Sequence, residues 1–139
     1  MTGRPVATAL AAAAALALTL TAEGTASAAA APPAAAPAGS LDLSLVASDI
    51  SQRPVGDATL ECAPDGGTHP DPEAACAALT AVQGDFTRLP DVPGRACPAV
   101  VDPVTAVATG TWQGVRVSYR ETFVNRCAAE VGTSDVFRF

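Results

Sequence analysis

The 139-residue chain has no lysine: its eight basic residues are all arginine, set against fourteen acidic ones for a formal net charge of −6. An acidic surface without lysine lacks the dense cationic contacts that phosphate backbones and anionic lipid surfaces require, which argues against nucleic acid and membrane partners. Histidine is nearly absent, with His69 the single copy, and the four cysteines include no CxxC pair, so there is no spacing for a structural zinc. No cofactor motif occurs either. The longest apolar run, Val6 to Leu20, is too short for a comfortable transmembrane span.

What is present starts with an export pattern. Arg4 is followed by the apolar run and by Ala26-Ser27-Ala28, an A-x-A cleavage site, so residues 1–28 read as a signal peptide and the protein as secreted and extracellular. Residues 29–39 are rich in Ala and Pro, without charge or periodicity, and read as an extended arm. Residues 40–139 form the compact domain, about 100 residues, near the size at which covalent staples help. Four cysteines in an exported chain imply two disulfides, with three pairings open.

Within that domain Leu41, Leu43 and Leu45 alternate with polar residues, as do Ala58, Leu60 and Cys62, which predicts two half-buried strands paired antiparallel. The Cys62–Pro70 stretch is dense in turn formers. Asp71 or Thr68 can cap a helix over Pro72–Val82 that presents Ala75, Ala78, Leu79 and Val82 on one face, with Glu73 near its positive end. Val104 to Thr109 reads as a strand and Gly110 to Gly114 as a hairpin turn. Val115 to Phe123 is an amphipathic strand, Asn125 to Val131 a short helix ended by Gly132, and Asp135 to Phe139 a last strand. The fold class is therefore α+β, a five-stranded antiparallel sheet with two helices and two disulfides.

The segment least like helix or strand is Gly94–Pro103. Pro98 and Pro103 fix their own φ and push Cys97 and Asp102 toward extended geometry, while Cys97 can tie the segment down. Such a loop is stiff and extended, the form in which a protease reads a substrate, and it loses little entropy on docking. An ordinary stapled loop of a secreted domain fits the same residues.

The run Cys62-x-Pro64-x-x-Gly67-x-His69-Pro70, with Ala75-Cys76-Ala77-x-Leu79 after it, resembles the signature of the Streptomyces subtilisin inhibitor family. Cys97-Pro98-x-Val100-x-Asp102-Pro103, Trp112-Gln113-Gly114, Phe123-x-Asn125-x-Cys127 and Val136-Phe137-x-Phe139 are similar to it as well, so the likeness spans the compact domain. The resemblance implies disulfides Cys62–Cys76 and Cys97–Cys127, a homodimer built through the sheet, and a reactive bond between Ala99 and Val100. It implies a protease-contacting loop of Ala96, Cys97, Pro98, Val101 and Asp102, with Asn125 bracing the loop from below. The partners it implies are extracellular serine proteases of the subtilisin type, and the protein itself is not an enzyme, with no catalytic residue, cofactor or metal. Ala99 departs from the large residues common at that position in the family; it suits small pockets and offers no cation to a trypsin pocket.

Two other readings compete. One is a non-inhibitory binding module of the same fold, with a metallopeptidase partner or a role as crosslinking substrate through Gln52, Gln83 or Gln113. The other is a small secreted enzyme. It would have to rest on His69, which has no Ser, Cys or carboxylate placed beside it by sequence and reads better as a hydrogen-bonded loop residue.

Overall fold

The computed structural model describes residues 36–139, so the expected signal peptide and most of the arm lie outside the described residues. Strand β1 (Gly39–Ala47) is the centre of the sheet. It pairs antiparallel with β2 (Pro54–Cys62) on one side and β4 (Val104–Trp112) on the other. β5 (Val115–Phe123) continues beyond β4, and the two-residue β3 (Gly66–Gly67) beyond β2, giving the order β3-β2-β1-β4-β5. The α+β class with a five-stranded antiparallel sheet and two helices is the observed one.

Period-two patterning decides which face is covered. Leu41, Leu43 and Leu45 lie in register with Leu60, Ala58 and Gly56 and with Gly110, Ala108 and Ala106, and this face is buried. Helix α1 (Pro72–Ala81) packs on it through Ala75, Cys76 and Leu79. The Asp71 carboxylate caps the helix by accepting the Ala74 N–H at 3.2 Å. The disulfide Cys62–Cys76 ties α1 to the end of β2. The opposite face carries Ser40, Asp42, Ser44 and Val46 on β1, with Thr105, Val107 and Thr109 on β4. Among the described residues no helix is long and apolar enough to cross a membrane.

Three sequence expectations are corrected. Asp135–Phe139 is not a strand: Ser134 and Asp135 adopt left-handed φ of 51° and 63°, and the N–H groups of Val136 and Arg138 bond locally to Thr133 and Asp135. Its apolar residues are buried all the same, Val136 and Phe137 fully, with Phe137 against Phe86 and Tyr119 in an aromatic cluster. The fifth strand is instead the Gly66–Gly67 pair, too short to show a period. The hairpin turn is not Gly110–Gly114 but Gln113-Gly114 alone; both have positive φ (49° and 79°), the two-residue geometry that matches strand twist, so β4 runs on to Trp112. Finally, helix α2 (Arg126–Gly132) contains Gly132 and stops at Thr133, with Asn125 as its N-cap.

Candidate functional site: the stapled loop at one end of the sheet

Residues 96–103 connect the irregular stretch after α1 to β4 and carry no regular structure. Pro98 to Pro103 are all exposed, and Val100 and Val101 are 55% and 78% accessible. An exposed pair of β-branched apolar residues contributes nothing to the core, so the loop must be held by other means.

Its ties converge on the junction between β5 and α2. The disulfide Cys97–Cys127 fixes the loop entrance to the first turn of α2. At the exit, the Asp102 N–H donates to the Val124 carbonyl at 3.0 Å, and Ser48 N–H donates to the Pro103 carbonyl at 2.9 Å. Between them lies Asn125, only 6% exposed. Its Nδ2 donates to the carbonyls of Pro98 (3.2 Å) and Val100 (2.8 Å), the residues on either side of Ala99. Its Oδ1 accepts the Ala128 N–H at 2.8 Å and so caps α2. One buried amide thus uses both donors on the loop and its acceptor on the helix. Its extended backbone (φ −164°, ψ 174°) is what an N-cap adopts, and it turns the side chain toward both.

Upstream, Arg95 forks onto the carboxylate of Asp135, with its second nitrogen 2.7 Å from Oδ2. These hydrogen bonds raise the guanidinium pKa above the ordinary arginine value, although burial opposes them. Arg95, the basic residue nearest the loop, is therefore engaged rather than offered to a partner. Nothing in the sequence signals this pair, which is forty positions apart.

Of the residues singled out from sequence, Ala96 to Asp102, Cys127 and Asn125 come together at this end of the sheet. Asn125, expected as the first residue of the short helix, is instead its N-cap, and this second role has a sequence signal, since Asn is among the residues that favour that position. His69 lies elsewhere and is 5% exposed. Its Nδ1 accepts the Asp71 N–H (3.1 Å), so Nε2 carries the proton and donates to the Val136 carbonyl (3.0 Å). Both ring nitrogens are used in tying two segments together, and neither is left for catalysis. Asp65 lies within 4.8 Å of the Cys62 and Cys76 sulfurs, but a disulfide offers a metal no thiolate.

The family model described as subtilisin inhibitor-like matches residues 36–125, well over half of the chain. Subtilisin inhibitor-like protein 5 of Streptomyces fradiae is 48% identical over 87 residues, covering 62% of this chain and 81% of the relative. A trypsin inhibitor of Streptomyces longisporus is 42% identical over 115 residues, covering 77% of this chain and 80% of the relative. Among solved structures, sermetstatin of Streptomyces caespitosus, crystallised in complex with Bacillus licheniformis subtilisin, superposes with a TM-score of 0.61 at 33% identity, covering 73% of this chain and 98% of that one.

Proposed function

The chain belongs to the subtilisin inhibitor-like family, and on that premise we propose that it is a secreted inhibitor of subtilisin-type serine endopeptidases, with Ala99–Val100 as its reactive bond. The family is one of inhibitors, so the chemistry belongs to the target. The protease serine attacks the Ala99 carbonyl and the oxyanion hole takes the developing charge. What makes an inhibitor of a substrate is the fate of the two ends.

The observation that carries this reading is the position of Asn125. A cut between Ala99 and Val100 leaves an upstream end held by Cys97–Cys127 and by the Pro98 carbonyl on Asn125. The downstream end is held by the Val100 carbonyl on that same amide and by Asp102 N–H on Val124. The new amine therefore stays beside the acyl carbon, and resynthesis competes with release, an effective-concentration argument. Ala96, Cys97, Pro98, Val101 and Asp102 contact the enzyme around the bond.

Prolonged incubation with catalytic subtilisin at mildly acid pH is expected to give one nick and a new N-terminus, Val100-Val101-Asp102. The two fragments should remain joined until reduced, and the nicked protein should still inhibit. A first cut elsewhere, or an inert nicked form, overturns the assignment. Target choice follows from the primary residue: Ala99 offers one methyl group, so trypsin should be spared. Ala99→Lys, at an exposed position, should create trypsin inhibition without changing thermal stability. The relative that inhibits trypsin speaks only for itself.

Two further parts of the reading concern export and assembly. Cleavage after Ala28 is tested by N-terminal sequencing of the exported protein. The sheet face bearing Val46 and Val107 is the one opposite helix α1, with both valines half-buried, and we take it as the homodimer surface. Sedimentation showing monomer alone at micromolar concentration would count against that.

A further inference from the structure

We propose that the β1–β2 turn, residues 48–53, is a second docking element for the protease, with Ile50 seated on enzyme surface outside the substrate cleft, on the side that follows the reactive bond. The proposal rests on reading residues 97–103 as the protease-binding loop.

Five large apolar side chains are exposed among the described residues: Ile50, Val100, Val101, Val115 and Val124. Register places four of them at one end of the sheet. There β2 begins, β1 ends, β4 begins and β5 ends, as the pairs Val46–Pro54, Ala47–Val104 and Val104–Phe123 show. Val115 alone lies at the other end. Across that edge the stapled loop sits in the middle. Val124 and Asn125 flank it on one side through the Asp102–Val124 bond, and the β1–β2 turn flanks it on the other through the 2.9 Å bond from Ser48 N–H to the Pro103 carbonyl.

Ile50 is the most exposed of the five, at 107%, so it touches nothing that could account for it as a packing residue. A β-branched apolar side chain is also not what a turn requires. The turn itself is firmly built. Asp49 Oδ1 accepts both the Ser51 N–H (2.9 Å) and the Ser51 hydroxyl, Gln52 N–H donates to the Asp49 carbonyl (3.2 Å), and Ala47 N–H donates to the Arg53 carbonyl (2.9 Å). The hydroxyl and N–H of Ser51 hold the Asp49 carboxyl below its ordinary pKa. A rigid turn presents its tip side chain at small entropic cost.

Interface size points to the same occupant. A protease–inhibitor interface takes roughly 20–30 residues from each side, and residues 96–102 cannot supply them alone. The surface must extend onto the loop's neighbours, and the turn is the neighbour that offers unspent apolar area. A second copy of the chain would use the Val46–Val107 face, from which the tip projects beyond the end of the strands.

The test uses the full secreted chain and subtilisin. Ile50→Ser is expected to weaken inhibition about tenfold, chiefly by faster dissociation. Ile50→Val should stay within about twofold of wild type. Melting temperature, oligomeric state and the Val100 N-terminus after nicking should not change in either. An unchanged inhibition constant for Ile50→Ser overturns the proposal while leaving the loop assignment intact. A weakening that comes with loss of the dimer assigns Ile50 to the copy–copy contact and overturns it too. Wild type that fails to inhibit subtilisin removes the proposed function first and this proposal with it.

Discussion

The molecule contains two proline-bearing loops that begin at a disulfide cysteine, and they come to opposite ends. The loop after Cys62 folds back on the sheet: the N–H groups of Thr68 and His69 both donate to the Thr59 carbonyl of β2 at 3.0 Å, Gly66–Gly67 becomes β3, and His69 is buried. The loop after Cys97 stays outside. The carbonyls of Pro98 and Val100 go to one side-chain amide, and Val100 and Val101 face solvent. Cysteine and proline stiffen both. What separates a structural loop from a presented one is where its backbone hydrogen bonds end and which side chains they leave uncovered.

Removing the two staples one at a time gives the largest contrast. The bridges close segments with separations of 14 and 30 residues, so in the chain-entropy treatment each contributes similarly, about 3 and about 4 kcal/mol. Cys62→Ser with Cys76→Ser should lower stability by about that amount yet leave the folded fraction inhibitory, read as an unchanged titration endpoint at low temperature. Cys97→Ser with Cys127→Ser should convert inhibitor to substrate: cut fragments separate without reductant, and inhibition decays within minutes to hours of mixing. Equal functional loss in both double variants would break the contrast.

Asn125 sharpens it within the second loop. Asn125→Ala removes the cap and both loop donors, costing about 1–2 kcal/mol in stability. Asn125→Asp keeps an acceptor for the Ala128 N–H but points an anion at the carbonyls of Pro98 and Val100. Thermal melts should therefore rank wild type, then Asp, then Ala. Both variants should hydrolyse at the Ala99–Val100 bond roughly ten times faster than wild type, an effect separated from stability by working well below the melting temperature.

Much of this architecture was legible, for reasons the residues make plain. The Leu41-Leu43-Leu45 alternation and the Pro72 helix start encode local geometry, and structure follows them. Failures came where a short-range pattern had two solutions. Phe137-x-Phe139 alternates like a strand, yet the left-handed residues Ser134 and Asp135 bring Phe137 into the core from a turn. In β5 the alternation holds, but Val115, on the apolar side at the hairpin end, is 69% exposed. At the site, Pro98 and Pro103 announce an extended loop. The Arg95–Asp135 fork is long-range, and a single sequence holds no local trace of it; the brace that Asn125 gives to Pro98 and Val100 is long-range too, and only the family resemblance points to it.

The smallest functional effect should come from His69, which makes it the control for the first loop. Its ring joins the Asp71 N–H, at the start of α1, to the carbonyl of fully buried Val136, and its edge meets the Phe139 ring with centroids 6.0 Å apart. His69→Ala strands a buried carbonyl and a helix-cap N–H, and a stranded group of this kind costs about 1–3 kcal/mol. For a domain of about 100 residues that is a fall of several degrees in melting temperature for each kcal/mol. His69→Gln can reach one of the two partners and should fall between. Neither change touches the β5–α2 junction, so the subtilisin inhibition constant should stay within about twofold of wild type at 20 °C. A His69→Ala protein that melts normally but no longer inhibits would mean that the loop after Cys62 is functional after all, and that the division between the two loops is wrong.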